Sequence, residues 1–122
     1  MSVEGIDEVS FGTQDLAACQ RFFGDWGLAQ VSASAQELVY ESLNGCRVIA
    51  AASDKPGLPP GIEPDPTLRE VVWGVQSQAD LDAIREKFKT QPGFVDSGDR
   101  VGCTDPNGLA VRVQVSRKRP VA

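Results

Sequence analysis

Residues 6–14, IDEVSFGTQ, align with residues 68–76, LREVVWGVQ. Glu8/Glu70, Val9/Val71, Gly12/Gly74 and Gln14/Gln76 are identical, while Ile6/Leu68 and Phe11/Trp73 are similar. Three extra residues follow in the second copy, after which Asp15-Leu16 matches Asp80-Leu81, Ala18 matches Ala83 and Phe23 matches Phe88. Further on, NGCRVIA (44–50) matches NGLAVRV (107–113). A repeat of this length means a duplicated supersecondary unit, so one local reading serves twice.

Each unit opens with a strand, since Val9 and Phe11, like Val71, Trp73 and Val75, share one face at period two. A helix follows. In the first copy Leu16, Cys19, Phe23 and Trp26 form an apolar stripe that ends at Gly27, a natural C-terminal stop. In the second, Leu81, Ile84 and Phe88 repeat the stripe behind Ser77-x-x-Asp80, which has the form of a capping box. Three short strands close each unit, at about 29–33, 37–42 and 46–51, then about 94–97, 100–104 and 109–115. The order is βαβββ, twice. This predicts an α+β fold in which two modules form curved mixed sheets around a cleft, with the helices outside. Module one spans 5–53 and module two 67–116 of a single domain, 1–122. Between them lies DKPGLPPGIEPDP (54–66), whose five prolines read as a semi-rigid linker.

Composition excludes several chemistries. There is no histidine, so no Ser-His-Asp triad, Cys-His pair or histidine-held metal can form. Cys19, Cys46 and Cys103 show no C-x-x-C spacing and read as reduced, buried thiols rather than nucleophiles. A net charge of −5 argues against a broad nucleic-acid surface. The basic cluster SRKR (116–119) opens a tail, 117–122, that reads as a solvated end. No apolar run approaches the ~18 residues of a membrane span. The opening MSVEGIDE lacks the basic and apolar regions of a signal peptide, so a cytoplasmic protein is expected.

One residue resists the core reading. Asp105-Pro106-Asn107-Gly108 is a tight-turn signature, and Val111, Val113 and Val115 then alternate with Ala110, Arg112 and Gln114. Arg112 therefore stands on the face opposite the valines, which is either solvated or lines something.

The βαβββ duplication, with IDEVSFGTQDLAACQRFFGDWGL at the start and DPNGLAVRV at the close, resembles the vicinal oxygen chelate superfamily. That group includes glyoxalase I, bleomycin-resistance proteins and extradiol ring-cleaving dioxygenases. The resemblance covers roughly residues 5–116 and is closest to the N-terminal domain of two-domain extradiol dioxygenases. It runs through ELVYESLNGCRVIAAA (37–52), LREVVWGVQSQADLDAI (68–84) and VGCTDPNGLAVRV (101–113). In those enzymes, the resemblance implies, the N-terminal copy has lost its metal and a downstream domain carries non-haem iron.

The resemblance also implies four metal-ligand positions in one cleft, occupied here by Glu8, Ile49, Glu70 and Arg112. Facial iron sites use two histidines and a carboxylate, so this chain departs from the pattern at every position. A guanidinium repels a cation and can neutralise the glutamates in its stead. Arg112 is accordingly expected to bond Glu8, Glu70 or both, unless all three side chains are solvated on an open sheet.

Three functions follow. The first is a metal-free domain without catalytic residues or cofactor of its own, supporting a downstream iron-bearing domain of an aromatic-degrading dioxygenase. A chain that runs out on VSRKRPVA directly after its last strand suits that reading. The second is a stand-alone binding protein, expected as a homo-oligomer that sequesters a small aromatic molecule. The third is a metal-independent enzyme using Glu8 and Glu70 as acid and base. No nucleic-acid or membrane partner is expected under any of them.

Overall fold

In the computed structural model, which describes residues 3–121, module one runs β1 (Val3–Thr13), α1 (Leu16–Trp26), β2 (Ala29–Ala33), β3 (Glu37–Glu41) and β4 (Arg47–Ala52). Module two runs β5 (Thr67–Val75), α2 (Gln78–Phe88), β6 (Val95–Asp96), β7 (Arg100–Thr104) and β8 (Ala110–Val115). The βαβββ order thus appears twice, in an α+β fold.

Within each module the first strand pairs parallel with the last, β1 with β4 and β5 with β8. Parallel neighbours need a long crossover, and α1 and α2 begin those crossovers. The curved mixed sheets expected of the two modules are joined edge to edge. β1 and β5 pair antiparallel, so the modules merge into one eight-stranded sheet, β2-β3-β4-β1-β5-β8-β7-β6. Pairing the first strands removes two edges that would otherwise expose unpaired backbone groups.

The helix ends follow the sequence signals. Asp15 caps α1 by accepting from the Ala18 amide at 2.9 Å, and Gly27 ends it in the left-handed conformation, φ 88°. Ser77 caps α2 by accepting from the Asp80 amide at 3.2 Å, and its hydroxyl donates to the Asp80 carboxylate at 3.1 Å. In the DPNG turn, Asp105 Oδ1 accepts from the Asn107 and Leu109 amides. Gly108 there takes φ 92°, which an L side chain would strain.

Both helices lie over the same face of the sheet, on two apolar clusters. Under α2, buried Leu81 and Ile84 meet Val75, Val101 and Val113. Under α1, half-buried Leu16, Cys19 and Phe23 meet Leu38, Tyr40 and Ala50. Two expectations fail here. Trp26 is 69% exposed rather than part of the buried stripe. It stacks on Phe22 instead, with ring centroids 6.3 Å apart, because residues at i and i+4 share a helix face. Of the three thiols only Cys103 is fully buried; Cys19 and Cys46 are half-exposed, each beside an oxygen acceptor.

The tail is tethered as well as exposed: Arg117 and Arg119 are open to solvent, yet hydrogen bonds anchor the segment up to Arg119. The Arg117 amide donates to Asp7 Oδ2 at 2.8 Å and the Arg119 amide to the Asn44 carbonyl at 2.8 Å. The Arg119 guanidinium meets Glu41 at 2.7 Å. That contact, with Arg47 on the other carboxylate oxygen, holds the Glu41 carboxyl below the usual range.

Candidate functional site

The face opposite the helices carries the charged residues, and strand register sets them in rows. Ser10 of β1 lies between Ile49 of β4 and Glu70 of β5. In the next row Glu8 is level with Arg47 and Val72, and Val72 is level with Arg112 of β8. Arg112 in turn pairs in register with Gly102 of β7. Gly102 needs to be glycine, because a Cβ there would lie 2.5 Å from the Val111 carbonyl oxygen as well as against the Arg112 side chain.

The four positions named from the sequence are divided between two adjoining cavities. Glu8, Ile49 and Glu70 line a cavity of about 280 Å³. Glu70 and Arg112 line an adjoining one of about 340 Å³. Both cavities also touch Arg100, Gly57 and Pro59. The Pro-rich segment therefore walls the cleft as well as linking the modules. It is held there by Lys55 on Glu37 at 2.6 Å and by Arg69 Nη1 on the Pro59 carbonyl at 2.9 Å.

Arg112 meets only one of its two expected partners. Its Nε lies 3.5 Å from Glu70 Oε2, and its Nη1 donates to the carbonyls of Cys103 and Val111. Glu8 is answered by a residue that the sequence reading missed, Arg100 of β7. Arg100 Nη1 lies 3.4 Å from Glu8 Oε2 and 3.8 Å from Glu70 Oε1. The side chains of Glu8 and Glu70 are 12% and 16% exposed, so the cluster is largely withdrawn from water. The available signal was alternation: Arg100 and Gly102 share the face opposite Val101 and Cys103. Periodicity assigns a face but not a partner 92 positions away.

The contacts to the glutamates are long for charge-assisted bonds, which favour about 2.7–2.9 Å. Arg100 is held more tightly elsewhere. Its Nη2 and Nε donate to Gln114 Oε1 at 2.8 and 3.2 Å. Gln114 Nε2 donates at 3.0 Å to Asp7, a carboxylate only 3% exposed. Only this orientation of the Gln114 amide serves both neighbours, since arginine offers donors alone and carboxylate acceptors alone. The Cys103 thiol behind Arg112 is pushed up by burial, which argues against its serving as a nucleophile.

Solved structures with this architecture include extradiol enzymes. An extradiol ring-cleaving dioxygenase from B. fuscum superposes with TM-score 0.70 at 16% identity, covering 98% of this chain and 34% of its own. Homoprotocatechuate 2,3-dioxygenase from Arthrobacter globiformis gives 0.70 at 18%, covering 98% and 38%. A catechol 2,3-dioxygenase gives 0.66 at 16%, covering 92% and 40%. The fold is that of the vicinal oxygen chelate proteins. At these identities the likeness carries the fold alone, and this chain spans between a third and two fifths of those dioxygenase chains. No family model and no curated protein matches the sequence.

The vicinal oxygen chelate fold raises the question of iron, and the donor set at the four positions does not fit it. Two carboxylates stand beside guanidiniums, the third position is isoleucine and the fourth is itself arginine. The chain has no histidine to complete a facial site.

Proposed function

We propose that this chain is a metal-free, non-catalytic domain of an extradiol-type ring-cleaving dioxygenase, supporting an iron-bearing domain in aromatic-compound degradation. The observation that carries the reading is the placement of Arg100 and Arg112 on Glu8 and Glu70. Two guanidiniums supply, at the ligand positions that the resemblance implies, positive charge of the kind a metal would bring. They do so with fixed, directional donors and no open coordination position. Desolvating four such ions costs several kcal/mol each, so the cluster offers little stability of its own. What it supplies is a cleft that stays assembled without a cation. Under this reading the chain has no cofactor, and its partner is the iron-bearing domain.

The same pairing disfavours an acid/base enzyme. Both carboxylates are already engaged by guanidiniums, Glu8 by Arg100 and Glu70 by Arg100 and Arg112. A stand-alone binding protein is the second reading, favoured by the two adjoining cavities under the Pro-rich wall. Ile49, Ala51, Leu58 and Pro59 give one of them an apolar side suited to a small aromatic molecule.

Anaerobic loading with ferrous iron, desalting and iron analysis, followed by oxygen uptake with catechols, tests the first reading. The expected result is substoichiometric iron and no uptake above a protein-free control. One retained iron per chain, or catechol-dependent uptake, overturns it. Saturable binding of catechols by calorimetry without turnover favours the second.

A further inference from the structure

The docked tail and the cleft are ends of one hydrogen-bonded chain. Ser116 Oγ and the Arg117 amide donate to Asp7 at 2.9 and 2.8 Å. Asp7 also takes Gln114 Nε2 at 3.0 Å, Gln114 Oε1 takes Arg100, and Arg100 meets Glu8 and Glu70. The path needs two local irregularities. A shift of register between Ile6 and Glu8 sets Asp7 off the regular ladder. Gly74 then leaves room for its carboxylate, where any Cβ would collide with Oδ1.

Geometry makes this path a coupling rather than a string of neighbours. Asp7 is buried and accepts from three donors, two of which, Ser116 and Arg117, belong to segment 116–119. If segment 116–119 lifts, Ser116 included, a buried carboxylate keeps a single donor, and leaving such a group short is costly. The remaining donor is the Gln114 amide, whose other end fixes Arg100. Arg100 is held by Gln114 more closely than by either glutamate, so a turn of that amide moves the guanidinium with little resistance from the cleft.

We propose that Asp7 and Gln114 couple the docking of segment 116–119 to the position of Arg100 in the cleft. Whatever holds or displaces that segment is thereby read at Glu8 and Glu70.

The coupling does not depend on whether the cleft binds anything, so it stands or falls separately from the iron assay. Coupling free energies are reciprocal, and this supplies the test. Backbone hydrogen exchange of the Arg117 amide is followed by NMR in the wild type, Arg100→Leu and Arg112→Leu. Arg100→Leu is expected to speed that exchange about tenfold, within the usual range of such couplings, while helix amides stay unchanged. Arg112→Leu, a change at a cleft arginine with no bond to Gln114, is expected to leave it unchanged. Conversely, Ser116→Ala is expected to shift the Arg100 Nε–H resonance, an arm that holds even if Arg100→Leu does not fold. An Arg117 amide indifferent to Arg100→Leu, one equally sensitive to Arg112→Leu, or an Arg100 resonance unmoved by Ser116→Ala overturns the proposal.

Discussion

Helix α2 buries Leu81 to 1% exposure and Ile84 to 6%, whereas α1, built on the same repeat, buries no residue fully. Leu16 occupies the position of Leu81, and Phe23 that of Phe88. What differs is a second stripe. Phe22 and Trp26, four apart, form their own apolar line on α1, and only one of two stripes about 100° apart can face the sheet. Phe23 takes the sheet side, with its ring 5.0 Å from Tyr40 and 6.1 Å from Phe11. Phe22 and Trp26 are left 63% and 69% exposed. The more apolar helix therefore has the less buried face, because direction around the helix decides burial.

The largest expected effect compares the matched leucines. Leu81→Ala should cost about 3–5 kcal/mol, and Leu16→Ala about 1–2 kcal/mol, since the latter side chain is already half in water. Urea unfolding of both variants measures the difference. Equal losses would break the contrast between the helices.

The duplication, the element order and most boundaries were legible because each rests on local signals. Examples are the period-two valines of β8, the Ser77 cap, the Gly27 stop and the DPNG turn. The four cleft positions came from the family resemblance, and strand register sets them in two adjacent rows of the sheet. Arg100 and Asp7 were not legible as site residues. Arg100 meets its partners through a sheet joined across modules, and Asp7 owes its burial to an irregularity in β1 that no periodicity announces. The tethering of the tail was hidden for a similar reason: its partners Asp7, Asn44 and Glu41 all lie in the other module.

A second, smaller effect concerns how the Pro-rich segment joins the modules. Asp65 bonds Arg69 with its side chain 5% exposed, and that guanidinium holds its carboxyl below the usual value of 3.8. Arg69→Ala should cost about 3 kcal/mol near neutral pH by stranding a buried charge. A depressed folded pKa contributes stability that is present above the unfolded value and lost as pH falls through the folded one. The gap between wild type and variant should therefore narrow below about pH 4. Urea midpoints at pH 7 and pH 3 measure it, and a gap independent of pH would show that Asp65 is not the group involved.

The smallest effect belongs to the outer stripe. Trp26→Ala should change stability by less than about 0.5 kcal/mol, as exposed substitutions usually do. A loss above about 2 kcal/mol in thermal unfolding would mean that α1 hides this face in solution.

The most direct measurement of the central claim, that guanidiniums stand in for a cation in the cleft, is thermal unfolding with and without millimolar manganese. Wild type and Arg100→Leu are compared. Removing Arg100 leaves Glu8 without its partner, so the variant should melt lower, and a hard divalent ion bound by oxygen should restore part of the loss by mass action. Wild type should not respond. A wild-type protein stabilised by manganese as much as the variant, or a variant that melts like wild type and ignores the ion, would contradict the account.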